Sequence, residues 1–124
     1  MLFAANPDPR GLNSLSLVFQ VIGTAGAVVI ICYLGKSFSI VPHARRLVRD
    51  GPYSVVRHPL YLAEEVAVLG CLLRFFCPAA VALFLAHCAL QIARIIFEEN
   101  LLRRSIPDYD DYARSTSRLI PYVW

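Results

Sequence analysis

The sequence predicts an all-α integral membrane protein with about three transmembrane helices, and three observations carry that expectation. Of 124 residues, 57% are hydrophobic and only 17% charged, well above the apolar share of an ordinary soluble domain. Mean hydropathy is +0.55, although a soluble domain of this length leaves much of its chain at the surface. The apolar residues are gathered into runs long enough to cross a bilayer, the clearest being the uncharged stretch 15–35. The balance excludes disorder, and the length suits a single domain over residues 1–124.

The first span is 15–35, close to the ~20 residues needed to cross ~30 Å of hydrocarbon. It is not read as a secretory signal, because Asn6, Asp8 and Arg10 with two prolines precede it in place of a basic leader. Gly23 and Ala27 present a small-xxx-small surface for close helix packing. The next apolar region, Pro59 to Phe97, is too long for one span and is divided at Pro78, whose ring suits the first turn of a new helix. Spans over 60–76 and 78–104 result, rising roughly 25 Å and 40 Å at 1.5 Å per residue. They form a tight antiparallel hairpin with no polar loop at its tip. Pro107 ends the third helix. A short C-terminal amphipathic segment follows from Asp108, Tyr109, Asp111 and Tyr112, and the closing Tyr122 and Trp124 read as interfacial anchors.

Charge is informative by position. Eleven of the twelve basic residues are arginine, yet no long basic run interleaved with aromatics suggests a nucleic-acid surface. The loop between the first two spans holds Lys36, Arg45, Arg46, Arg49 and Arg57 against Asp50, and the tail adds Arg103, Arg104, Arg114 and Arg118. Both segments, loop 36–58 and the C-terminus, are therefore expected on the cytoplasmic side. Cys32, Cys71, Cys77 and Cys88 match no zinc or CxxC spacing and read as small buried hydrophobes.

The polar residues that interrupt the spans carry the chemistry, since such groups at membrane depth usually face a bundle interior or a cavity. His87, Gln91, Arg94 and Glu98 recur at helical spacing on one stripe. The stripe reads either as the lining of a cavity or as an Arg94–Glu98 pair, i to i+4, beside a core histidine. Pro59 places His58 at or beside a helix N-cap, where free N–H groups and the dipole favour a carboxylate or phosphate. Tyr61 shares a face with Glu64 and Glu65, which serve either a site or the headgroup region. Gly51 and Pro52 form a turn that lifts Tyr53 toward this helix start.

Gly51-Pro52-Tyr53, Arg57-His58-Pro59-Leu60-Tyr61, Arg94 four residues before Glu98-Glu99, then Tyr109, Tyr112 and Ile120-Pro121 run in order over about residues 36–124. Together they resemble the isoprenylcysteine carboxyl methyltransferase family and its phospholipid N-methyltransferase relatives. The resemblance implies a membrane enzyme that binds S-adenosylmethionine at the cytosolic face and methylates a lipidic or prenylated acceptor entering from the bilayer. Carried over by position, Leu47 and Val48 would contact the cofactor through backbone groups, and Tyr53, His58 and Tyr61 would hold it from the loop and helix start. Glu99 would face it as a second carboxylate, and Arg94 and Glu98 would form the catalytic pair on the acceptor side. Two departures stand out: Ala63 replaces a glycine common in relatives, which would tighten the cofactor pocket, and Arg45 replaces a histidine found in some.

The same residues suit the cofactor on physical grounds, because a sulfonium, an amine, a carboxylate and adenine call for carboxylates, a helix start and an aromatic wall. The acceptor stays open. A carboxylate acceptor is already ionised and needs a cation such as Arg94; an amine must lose a proton, which favours Glu98 as base. The first is preferred here because an arginine at membrane depth needs a reason. Further N-terminal helices are common in the family, so the short chain also fits a non-catalytic membrane subunit or half of a site completed by a second copy.

Overall fold

A computed structural model describes residues 11–39 and 47–124. Arg10 and the leader before it, and Arg45 and Arg46 of the basic loop, lie outside the described residues. Four α-helices follow one another: α1 (Gly11–Ser39), α2 (Pro59–Arg74), α3 (Pro78–Ser105) and α4 (Tyr109–Ser115), with a 3-10 turn at Gly51–Ser54 before α2. Among the described residues there is no strand, only one isolated parallel bridge between Val56 and Ser117.

The three expected helices are present, each a little longer or shorter than its apolar run, and two of them meet the length and apolarity of a membrane span. Leu12–Lys36 and Pro78–Ser105 are long and apolar enough to cross a membrane, and most of their surface faces outward. Large aliphatics on α1 and α3, among them Val21, Val29, Leu83 and Leu90, are more than half exposed. Such continuous apolar surface is what lipid covers, whereas a soluble monomer rarely shows it. The chain is a membrane protein of the all-helical class. Helix α2, at 16 residues, rises only about 24 Å and is the most enclosed of the long helices.

Small and polar side chains, rather than large ones, hold α1 against α2. Ser16, Gly23 and Ile30 are buried at intervals of seven along one stripe of α1, the spacing of a helix that keeps one narrow seam toward a partner. A Cβ on Gly23 would meet Ala63 O at 2.7 Å and the backbone of Ala67; on Gly70 it would meet Ser16 O at 2.8 Å. Ser16 Oγ donates to Gly70 O at 2.7 Å and accepts from Gln20 Nε2 at 3.0 Å. Gly23 plays the part expected of it, and Gly26, whose Cβ would approach Ala63 at 3.5 Å, is its neighbour on the seam. In lipid no hydrophobic force drives helices together, so close backbone approach and such hydrogen bonds do.

Ala63 therefore faces α1, and among the described contacts it plays no part in a cofactor pocket. The cysteines also depart from expectation. Cys32 and Cys71 are exposed and Cys77 and Cys88 half-buried, because in a span the outward face is apolar too and lets a small hydrophobe sit there.

The α2–α3 connection is the tight hairpin the sequence implies. Phe75 N–H closes α2 on Cys71 O, and Cys77 caps α3, its Sγ accepting from Ala80 N at 3.4 Å. The hairpin is joined by polar side chains. Gln91 Nε2 donates to Glu64 Oε2 at 2.7 Å, Cys88 Sγ lies 3.4 Å from Glu65 Oε2, and His87 Nε2 lies 3.4 Å from Glu65 Oε1. The stripe on α3 thus faces α2, and its lower half is closed by the Glu64 and Glu65 carboxylates.

Candidate functional site

At the end where α2 begins and α3 emerges, the helices part around a cavity of 660 Å3, within the ~300–1,000 Å3 of small-molecule sites. Leu34 of α1, Leu47, Val48 and Tyr53 of the loop, the α2 start and the end of α3 enclose it, and Tyr109 and Tyr112 of α4 complete it. The walls are chiefly apolar and aromatic.

Local sequence explains how the loop side is built. Gly51 adopts φ +60°, a conformation open to glycine, and a Cβ there would press on the Tyr33 ring at 2.7 Å. Pro52 is the second residue of the 3-10 turn, which sets Tyr53 over the cavity. His58 is the N-cap of α2 with Pro59 at the first helical position. Its side chain makes no cap, which leaves the first-turn N–H groups of Leu60 and Tyr61, both cavity residues, for other acceptors. The His58 and Tyr61 rings stack at 5.6 Å and 13°.

Helix α4 is held by groups from the loop. Tyr112 donates to Tyr53 O at 2.6 Å, Arg49 Nη2 to Asp108 O at 3.0 Å, and Arg57 Nη1 to Ala113 O at 2.8 Å. Beyond it, the tail pairs with the strand-like residues before α2: Arg57 N–H donates to Ser117 O at 2.8 Å and His58 N–H to Arg118 O at 3.0 Å.

Six of the eight sequence-predicted site residues line the one cavity: Leu47, Val48, Tyr53, His58, Tyr61 and Glu98. The other two are placed differently. Arg94 is exposed, its guanidinium 4.9 Å above the Tyr61 ring, while the Tyr61 hydroxyl donates to Glu98 Oε1. The three residues are thus linked through the tyrosine. Glu99 is 1% exposed and turned away from the cavity. Its oxygens lie 3.1 Å from Arg57 Nε, 3.1 Å from Arg118 Nε and 3.3 Å from His58 Nε2.

Burial shapes the proton affinities around the cavity. Desolvation pushes the His58 imidazole below its ordinary value, against the opposing pull of its Glu99 hydrogen bond and the nearby Glu98 charge, so it is neutral at neutral pH. Burial, then the Glu98 charge, raises Tyr53; burial first of all pushes Tyr109 and Tyr112 up to about 12. All three remain phenols and hydrogen-bond donors. The Tyr109 hydroxyl is buried at the cavity with no hydrogen-bond partner, an arrangement that calls for a bound polar group.

Periodicity marks Tyr109 and Tyr112 only as part of an amphipathic tail and not as cavity walls, and nothing local to the chain pairs Arg57 and Arg118 with Glu99. The Tyr-x-x-Tyr spacing was a signal for the first pair; a seven-residue helix is too short for periodicity to fix its facing. Among the described residues no three His, Cys, Asp or Glu side chains converge as a metal site would require.

The phospholipid methyltransferase family model matches residues 13–107. Over 77 residues, 60% of this chain, the sequence is 43% identical to the nickel-cobalt-cadmium resistance protein NccN of Alcaligenes xylosoxydans xylosoxydans, covering 36% of that protein. It is 36% identical to the cobalt-zinc-cadmium resistance protein CzcN of Cupriavidus metallidurans over the same length, covering 35% of it. The matches therefore span about a third of the length of these relatives. No solved structure matches.

Proposed function

The chain belongs to the phospholipid methyltransferase family, and from that membership we propose that it is a membrane methyltransferase using S-adenosylmethionine on a lipid-borne acceptor. The observation that carries the reading is the convergence of Leu47, Val48, Tyr53, His58, Tyr61 and Glu98 on one cavity at the end of the helix hairpin.

These residues fit the cofactor by their chemistry. The α2 first turn, with Leu60 and Tyr61 N–H groups, suits its carboxylate. Tyr53 and the stacked His58–Tyr61 pair offer faces for adenine and for a sulfonium. The unpartnered Tyr109 hydroxyl has a donor to give, and Leu47 and Val48 lie where loop backbone reaches the cavity. When bound, S-adenosylmethionine supplies an activated methyl group for displacement by a nucleophile. The chain's part is to align the acceptor and exclude water, to which the apolar walls contribute.

For the acceptor, the cavity favours an amine. Glu98 lines it, is half-exposed and carries the Tyr61 hydrogen bond, so it can take the proton an alkylammonium must lose before it acts as nucleophile. A lipidic carboxylate of the isoprenylcysteine kind is the second reading, favoured by Arg94 at the outer face of Tyr61, where a guanidinium would orient a carboxylate entering from the bilayer. The metal-resistance names of the two relatives describe those longer proteins and choose neither acceptor.

Membranes bearing the protein, incubated with methyl-labelled S-adenosylmethionine, should yield a labelled lipid. A label stable to mild base marks N-methylation; a label lost to base marks a methyl ester. Glu98→Gln should lower turnover about 100-fold while cofactor affinity changes less than about threefold. Absence of any labelled product with the wild-type chain, under conditions where it binds the cofactor, would remove the catalytic reading and leave a non-catalytic subunit.

A further inference from the structure

A second hollow of 340 Å3 lies on the far side of Arg57 from the cavity, between α4 and the C-terminal turn. Arg57, Arg114 and Arg118 line it with Ser117, Thr116 and Trp124, and no acidic side chain does. The three arginines come from two stretches of chain, Arg57 from before α2 and Arg114 and Arg118 from the tail, brought together by the backbone pairing of Arg57 and His58 with Ser117 and Arg118.

Their charge is only partly met. Glu99 lies behind the wall and answers both Arg57 and Arg118 through one carboxylate, leaving an excess of about one positive charge. Arg103, which also reaches Glu99, has Asp110 at 3.1 Å. Arg114 is largely exposed, with Asp111 no nearer than 4.0 Å. Among the described contacts Arg118 uses Nε alone on Glu99, and its guanidinium lies over the Trp124 ring at 5.1 Å. The Ser117 Oγ accepts from Tyr122 N–H at 3.0 Å, so its own proton is free to be donated.

We propose that this hollow holds a phosphate monoester or diester group. Guanidinium forks match phosphate oxygens in pairs, and the half-buried Ser117 hydroxyl supplies a further donor. A membrane lipid is the source its surroundings fit. Tyr122 and Val123 of its lining stand exposed, Tyr122 completely, and Tyr122 holds φ +63°, a strained left-handed conformation. An apolar fringe beside arginines is the arrangement that sits at headgroup depth. The site is separate from the methyl-transfer cavity and does not rest on that reading.

Trp124 is the only tryptophan and lines the hollow, so its fluorescence reports occupancy. The full chain in a neutral detergent is titrated with dihexanoyl phosphatidic acid, inorganic phosphate, and dihexanoylglycerol as the phosphate-free control. Saturable quenching or enhancement by the phosphatidic acid is expected, with the midpoint raised at least fivefold by Arg114→Gln and returned to within twofold by Arg114→Lys. Arg114 is exposed and its substitution leaves the Glu99 contacts intact. Equal response to inorganic phosphate assigns the group to a soluble source; a response to lipid alone assigns it to the bilayer. An identical response to dihexanoylglycerol, no saturable change with either phosphate, or an unmoved midpoint in Arg114→Gln overturns the proposal.

Discussion

Two adjacent carboxylates at the emerging end of α3 meet opposite surroundings, because neighbours on a helix point about 100° apart. Glu98 faces the cavity and the Tyr61 hydroxyl, and Glu99 faces Arg57, Arg118 and His58. Glu99 thereby sets the His58 ring from behind, with its own oxygens fully used. Neutral His58 is the form the folded site prefers, since burial lowers its proton affinity. The stability it contributes is present above the ordinary histidine value of ~6.5 and is lost as pH falls through the lowered folded value. Thermal unfolding in detergent should therefore show a Tm that declines below about pH 6.5 more steeply in the wild type than in His58→Asn. Superimposable pH profiles would take the imidazole, which faces the Glu98, Glu99 and Arg57 charges, out of that account.

At the scale of elements, the α1–α2 seam and the tail latch invite different tests. Gly70→Leu pushes a side chain into Ser16 O and Gln20, with contacts at or below 2.9 Å, and should destabilise the pair by about 1–3 kcal/mol, read as a lowered unfolding midpoint in detergent. Gly35→Leu meets open space and should leave that midpoint unchanged or raise it; equal losses from both would mean the seam is not the tight contact. Removing Glu99 leaves Arg57 and Arg118 facing each other without their shared anion, a change of the kind that destabilises by about 3–5 kcal/mol. Glu99→Ala should free the tail, so that trypsin cleaves after Arg114 and Arg118 at least tenfold faster, while Glu98→Gln leaves the cleavage rate alone. A Glu99→Ala tail as resistant as wild type would show the latch to be held by the backbone pairing alone.

Over the whole molecule, a crossing by each of the three long helices would place the loop before α2 and the tail on one side, opposite the start of α1, and from the arginine-rich loop and tail we propose that this side is the cytoplasm. In a background with Cys32, Cys71, Cys77 and Cys88 replaced by alanine, Asn13→Cys should react with an impermeant maleimide on intact cells. Ser115→Cys should react only after permeabilisation, and the reverse pattern would invert the topology. The sequence by itself determined the three long helices, near the bounds they adopt, through apolar runs and the prolines at 59 and 78, and it singled out Tyr53, His58, Tyr61 and Glu98, whose spacing along the chain is a local property. Tertiary structure alone decided which way each of them faces. Arg94 and Glu99 share helix α3 with Glu98, yet packing turns one onto the outer face of Tyr61 and buries the other behind Arg57 and Arg118. That outcome depends on contacts between residues 57, 99 and 118, far apart in the chain, and a helical period cannot encode them.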